Sequence, residues 1–303
     1  MNNFTVNRQD NAWHYSNQNQ YIEWWYLDAL FSDYYYLSGS FGIWGSLKKP
    51  ESLMIRSDFL LTMPNGSTID FGEKFSLTKF SASLERCNVH LGKNSLVDAG
   101  NCYNLHLIKD SVALNLTYVP TSPGFKHTHF FNEQQSEYFS WVVPMPCAGV
   151  HGSLQINEKS IALNGFGYHD HNWASISLSQ KINGWQWGRI QSGKEIITFA
   201  LVEGISQTLF KGMAFSSGSK FEYLKFGLPF PIMNINEIRS GWALSLTDDN
   251  IELHLEITEK KEVLHRDGGS SYRRYLSRVN GKITTNKEYI VSGQMIHEFQ
   301  NLH

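Results

Sequence analysis

The sequence predicts an all-β protein built of antiparallel sandwiches or barrels, on three observations. Runs rich in aromatic and aliphatic residues, many of them alternating, recur along the chain. Turn-forming clusters separate these runs, and long helical periodicity is nearly absent. In chain order the predicted strands fall at residues 34–44, 54–63, 104–119, 195–203 and 251–257. The predicted hairpin connections are Pro64-Asn65-Gly66-Ser67, Ser217-Gly218-Ser219, Asp248-Asp249-Asn250 and Asn280-Gly281-Lys282. Trp141-Val142-Val143-Pro144-Met145-Pro146 holds two prolines, which bring no N–H to a ladder. The segment therefore reads as a strand ending at an edge or bulge on a barrel rim.

An internal echo sets the domain count. Ile22-Glu23-Trp24-Trp25-Tyr26-Leu27 resembles Asn183-Gly184-Trp185-Gln186-Trp187-Gly188, and Gly165-Phe166-Gly167-Tyr168-His169-Asp170 resembles Gly293-Gln294-Met295-Ile296-His297-Glu298. Each copy opens and closes alike over a length suited to one barrel of lipocalin size. Two domains are expected, 1–178 and 179–303, and no charged or low-complexity linker marks the joint.

The chain has 303 residues, with 26 basic and 28 acidic side chains and a formal charge of −2. No basic footprint for nucleic acid is visible. Charged residues make up 18% and aromatic residues 14%, against a usual charged share of about 25%, which leaves much flat apolar surface to face a core or a ligand. The first twenty residues are polar and lack the apolar run of a signal peptide, and no apolar stretch approaches the roughly 18 residues of a membrane helix. A soluble, cytoplasmic protein is expected, without stable membrane insertion. Cys87, Cys102 and Cys147 are odd in number and form no CxxC pair, so they are expected to be reduced. Phosphate loops, GxSxG elbows and dinucleotide fingerprints are absent.

The densest chemistry lies in Gly165 to Trp173. On a strand, period two sends Tyr168, Asp170 and Asn172 to one face and His169, His171 and Trp173 to the other. Burial disfavours a carboxylate's charge, so Asp170 would stay protonated and act as a general acid, with His169 or His171 as an acid–base relay. The structural alternative is an ionised Asp170 bracing the barrel through Tyr168, Asn172 or Arg189. His169 with His171, and His127 with His129, have the spacing of a metal-binding pair, but a zinc site needs a third ligand, and no metal is expected. Trp24 and Trp185 are expected to plug their barrels. Trp25, Tyr26, Trp141, Trp173 and Trp187 are left to line an apolar cavity, where their π-faces would stabilise a cation. Glu23 is expected in a structural salt bridge, and Arg273, Arg274 and Arg278 on a solvated strand face.

Four segments, taken together and in order, resemble the AttH-type and carotenoid 1,2-hydratase (hydroxyneurosporene synthase) family, which also includes Diels–Alderases and cyclases. They are Glu23-Trp24-Trp25-Tyr26, Trp141 to Pro146, Gly165 to Trp173 and Trp185-Gln186-Trp187-Gly188-Arg189. The resemblance implies two tandem lipocalin-like antiparallel β-barrels, a cavity in or between them, and no metal or redox cofactor. It assigns acid catalysis to Asp170, assisted by Tyr168 and Trp141. Hydratases of the family carry a histidine where this chain has Phe139, and a glycine where it has Ala174. Phe139 would make the site drier, which suits cyclisation over hydration. The expected activity is therefore cofactor-independent cyclisation, pericyclic or acid-promoted, or hydration of a C=C bond in a polyene, isoprenoid or polyketide-type molecule. Trp25, Tyr26, Phe139, Trp173, Trp187 and Arg189 would hold that substrate. A non-catalytic carrier of a hydrophobic small molecule is the alternative.

Overall fold

The computed structural model describes residues 4–15, 20–46, 48–238, 241–266 and 270–302. They divide into two compact units, Met1–Ser177 and Leu178–His303. Both are almost entirely antiparallel β-structure, each one long sheet curled into a lipocalin-like half-barrel. Among the described residues no helix is long and apolar enough to cross a membrane.

The first unit contains β1 (Tyr21–Phe31), β2 (Tyr36–Gly45), β3 (Met54–Ser57), β4 (Leu60–Thr62), β5 (Thr68–Asp70), β6 (Glu73–Phe75) and β7 (Phe80–Ala82). It continues through β8 (Asn88–Leu91), β9 (Asn94–Asp98), β10 (Tyr103–Lys109), β11 (Val112–Pro120), β12 (Phe125–Phe130), β13 (Tyr138–Ile156) and β14 (Lys159–Ala174). The first strand lies between β2 and the last strand, β14, so the chain's opening and closing segments are neighbours. One face of this sheet carries the core: Trp25, Leu27, Ala29 and Phe31 from β1 meet Phe41, Leu105, Leu116, Met145 and Val150.

The second unit contains β15 (Ile182–Ser192), β16 (Glu195–Gly204), β17 (Thr208–Ser217), β18 (Lys220–Gly227) and β19 (Ile232–Ile238). After them come β20 (Gly241–Asp248), β21 (Ile251–Arg266), β22 (Ser271–Thr284) and β23 (Glu288–Asn301). Here too the first strand pairs with the last. Its core gathers Ile190, Phe199, Met213, Phe215, Leu244, Leu255, Val279 and Met295.

Several sequence expectations change at the level of elements. Residues 104–119 form two strands, because Asp110 takes a left-handed turn conformation, φ 53°, between β10 and β11. Residues 54–63 likewise divide into β3 and β4, both paired with β2. Asn280-Gly281-Lys282 is not a turn: it lies inside β22, paired with β21 on one side and β23 on the other. Gly281 is there because a Cβ would collide with the His254 carbonyl oxygen. The prolines of 141–146 do not end their strand either. Val142, Met145 and Ala148 face His171, His169 and Gly167, so one extra residue enters at each of two bulges. Pro144 and Pro146 sit in these bulges, where β13 passes from pairing with β12 to pairing with β11 and their missing N–H groups cost no ladder bond.

Candidate functional site

Asp170 owes its surroundings to the register of β1, β14 and β13. Tyr26 stands opposite Asp170, Asp28 opposite Tyr168, and Trp24 opposite Asn172. These six share one face of the sheet, opposite to the face that bears Trp25 and Leu27. From β13, Trp141 lies beside Asn172 and Phe139 beside Ala174. From β12, His127 lies opposite Trp141 and His129 opposite Phe139.

The Asp170 carboxyl, 6% exposed, accepts from three uncharged donors. The Trp141 indole donates to Oδ2 at 3.1 Å, the Tyr168 hydroxyl to the same oxygen at 2.9 Å, and the Asn172 amide to Oδ1 at 2.8 Å. Burial, and then the charge of Asp170, hold the Tyr168 phenol well above its ordinary range, so it remains a donor. Beside this cradle stands a second Tyr-x-Asp pair, running the other way: the Tyr26 hydroxyl donates to Asp28 Oδ2 at 3.0 Å, and Asp28 is fully buried. Rings frame the polar centre. Trp24 stacks on Phe139 at 6.1 Å, and Phe125 meets Trp141 edge-on at 5.3 Å. Burial pushes the His127 imidazole down to about 4, so it is neutral at pH 7. Donors fixed on a carboxyl stabilise the charge that appears when it gives up a proton, without reorganisation at that moment.

The structure thus brings together Asp170, Tyr168, Trp141, Tyr26 and Phe139. It separates them from His169, His171, Trp25 and Trp173, which occupy the opposite face. His169 faces the Tyr26 carbonyl through Nδ1 at 2.8 Å and the Asn11 side chain through Nε2 at 3.0 Å. Burial holds its imidazole at about 4. Trp25, expected to line a cavity, is fully buried in the core and stacks on His171 at 4.6 Å. Trp173 stacks on His14 at 3.5 Å. Glu23 meets His171 at 2.7 Å, but burial drives the acid well up and the imidazole well down. The expected salt bridge is therefore a neutral hydrogen bond. The hydrogen bonds of both histidines go elsewhere than to Asp170, which removes the expected relay. Trp24 and Trp185, expected to be plugs, are only half-buried.

Trp187 and Arg189 belong to the second unit, opposite Glu298 and Ile296. Glu298 occupies the place there that Asp170 has in the first unit, but its partners differ. Trp185 donates to it at 3.0 Å, and Arg274 pairs with it at 2.8 Å while lying over the Tyr272 ring. Arg274 was expected on a solvated face and is buried instead, since it neutralises Glu298; Arg273 and Arg278 are exposed. Sequence reasoning missed Asp28, although Tyr26-Leu27-Asp28 repeats the pattern of Tyr168-His169-Asp170.

Two lipocalin-like sheets in tandem, the first carrying a buried carboxyl cradled by tryptophan, tyrosine and asparagine, define the class. The description of a Diels-Alderase-like domain matches residues 98–214, which include the cradle. Hydroxyneurosporene dehydrogenase of Chlorobaculum tepidum is 24% identical over 230 residues, spanning 62% of this chain and 58% of that protein. Among solved structures, a putative AttH of Nitrosomonas europaea superposes with a TM-score of 0.66 at 15% identity, covering 100% of this chain and 98% of its own. CghA superposes with a TM-score of 0.69 at 12% identity, covering 99% and 96%. The chain is thus similar to Diels-Alderase-like proteins over residues 98–214 and shares its fold with AttH and CghA.

Proposed function

We propose that this protein is a cofactor-independent enzyme that cyclises a hydrophobic polyene, isoprenoid or polyketide-type molecule, or hydrates one of its C=C bonds, with Asp170 as the proton-transfer group. The observation that carries the proposal is the Asp170 cradle: a buried carboxyl with three uncharged donors, on a sheet face bearing Trp24, Tyr26, Phe139 and Trp141. The Diels-Alderase-like match over residues 98–214 supports the reaction class.

In acid form, Asp170 gives its proton to one carbon of a C=C bond, and the π electrons form the new C–H bond. The carbon left electron-deficient is stabilised by the neighbouring π-faces. Trp141, Tyr168 and Asn172 stabilise the carboxylate that remains. A second C=C bond of the same molecule then attacks the cation and closes a ring, or water attacks and forms an alcohol. Loss of one proton to Asp170 completes either course and restores the acid. In a pericyclic course no proton moves, and the same groups polarise a substrate carbonyl while the rings hold the folded shape. Phe139 beside Ala174 lines the face with hydrocarbon, which favours ring closure.

Incubating the purified chain with a panel of acyclic polyenes, isoprenoids and unsaturated polyketides, followed by mass spectrometry, tests this reading. An isomeric ring product, or a gain of one water, is expected from the native protein. Binding without conversion by either the native protein or Asp170→Asn would make it a carrier instead.

A further inference from the structure

The strongest unassigned cluster lies on the core face, away from Asp170, where the N-terminal segment crosses β1 and β14. That segment is strapped down at several points: Asp10 pairs with Lys126 at 2.8 Å, Asn11 contacts His169, and the Trp13 indole donates to Tyr21 at 3.0 Å. It ends by laying His14 beside Glu23 and His171. One ligand atom from each of the three side chains lies within 4.8 Å of the others.

We propose that His14, Glu23 and His171 form a three-ligand site for a divalent metal ion of the zinc type, which clips the N-terminal segment to the sheet. Two imidazoles and one carboxylate are the donor set such an ion takes, and tetrahedral bonds of about 2.0–2.2 Å put ligand atoms roughly 3.3 Å apart. Two of the separations bracket that value, 2.7 Å from Glu23 to His171 and 3.8 Å from Glu23 to His14. The ion would take Glu23 as a carboxylate, so binding releases the proton shared in the Glu23–His171 hydrogen bond. The His14 backbone N–H donates to Glu23 at 3.0 Å and so helps fix the orientation of the carboxyl. Glu23 and His171 are fully buried, whereas the His14 side chain is 27% exposed and leaves an approach for the ion and a water ligand. His127 and His129 supply only two ligands and no carboxylate.

The test uses the chelator-treated 303-residue chain, titrated with Zn²⁺ in a calorimeter and with Co²⁺ in visible absorption. One ion per chain is expected, with the d–d band of a four- or five-coordinate cobalt centre. His14→Ala, made on the partly exposed segment so that the fold survives, should weaken uptake by more than about 100-fold, beyond the usual loss of an outer-shell partner. Glu23→Gln should act alike, whereas the double variant His127→Ala/His129→Ala should bind as the native chain does. No stoichiometric uptake by the native protein, or uptake unchanged in His14→Ala, would overturn the proposal. Loss in the 127/129 variant alone would place the ion on an adventitious histidine pair and overturn it too. None of these readouts depends on the activity proposed above.

Discussion

Asp170 accepts from an indole, a phenol and a carboxamide, with none of these donors charged. Asp170→Asn keeps the size of the side chain but removes the transferable proton. Turnover of an acid-promoted substrate should fall about 10²- to 10⁴-fold, measured as product per time under saturating substrate. Trp141→Phe removes one donor and should cost about 10²- to 10³-fold in kcat, with the fold retained by circular dichroism. His127 offers a pH test. Its folded pKa of about 4 lies below the ordinary 6.5, so the unfolded chain binds its proton first. The native stability is fully present above pH 6.5 and declines as pH falls from there toward 4. In His127→Gln, urea midpoints should lose less across that window than in the native chain. Alternation alone grouped Tyr168, Asp170 and Asn172 correctly. It could not tell Trp24 from Trp25, because which face of β1 is core depends on its packing partners. Asp28 became visible only once Tyr26 was known to stand opposite Asp170.

At the scale of elements, the two units repeat one device. Gly165 and Gly293 each pass so close to the first strand of their unit that a Cβ would collide with the carbonyl oxygen of Leu30 or Gln191. These positions correspond in the sequence echo, as do Tyr26 opposite Asp170 and Trp187 opposite Glu298. The glycines are thus required by close approach of strands rather than by turns. Gly165→Ala and Gly293→Ala should each cost about 2–4 kcal/mol of stability, read from denaturant midpoints at an unchanged slope. The proline-rich segment was read as the end of a strand at an edge or bulge because proline has no N–H, and of that reading only the bulge held. That β13 continues beyond it, with β11 taking over from β12, came from tertiary pairing that local sequence does not encode. Asn280-Gly281 misled for a related reason, since the dipeptide favours a hairpin but here supplies a narrow strand crossing.

On the scale of the whole molecule, the same register position carries different chemistry in its two occurrences. Asp170 accepts from Trp141, Tyr168 and Asn172, whereas Glu298 accepts from Trp185 and pairs with the buried guanidinium of Arg274. Glu298→Gln, which leaves Arg274 unmatched, should destabilise the protein by about 3–5 kcal/mol, while pairing it with Arg274→Met should recover much of that loss. The tandem all-β architecture was readable from turn spacing and the Trp echo, since these follow from backbone chemistry. The pairing of Glu298 with a buried guanidinium was not, because it turns on Arg274 facing inward. The decisive measurement is mass spectrometry of products formed in D₂O by the native protein and by Asp170→Asn. Acid-promoted chemistry at Asp170 should place a deuteron on carbon in a cyclised or hydrated product, and the variant should lose that product. Conversion at equal rates by both proteins, or none by either, would contradict the assignment of Asp170.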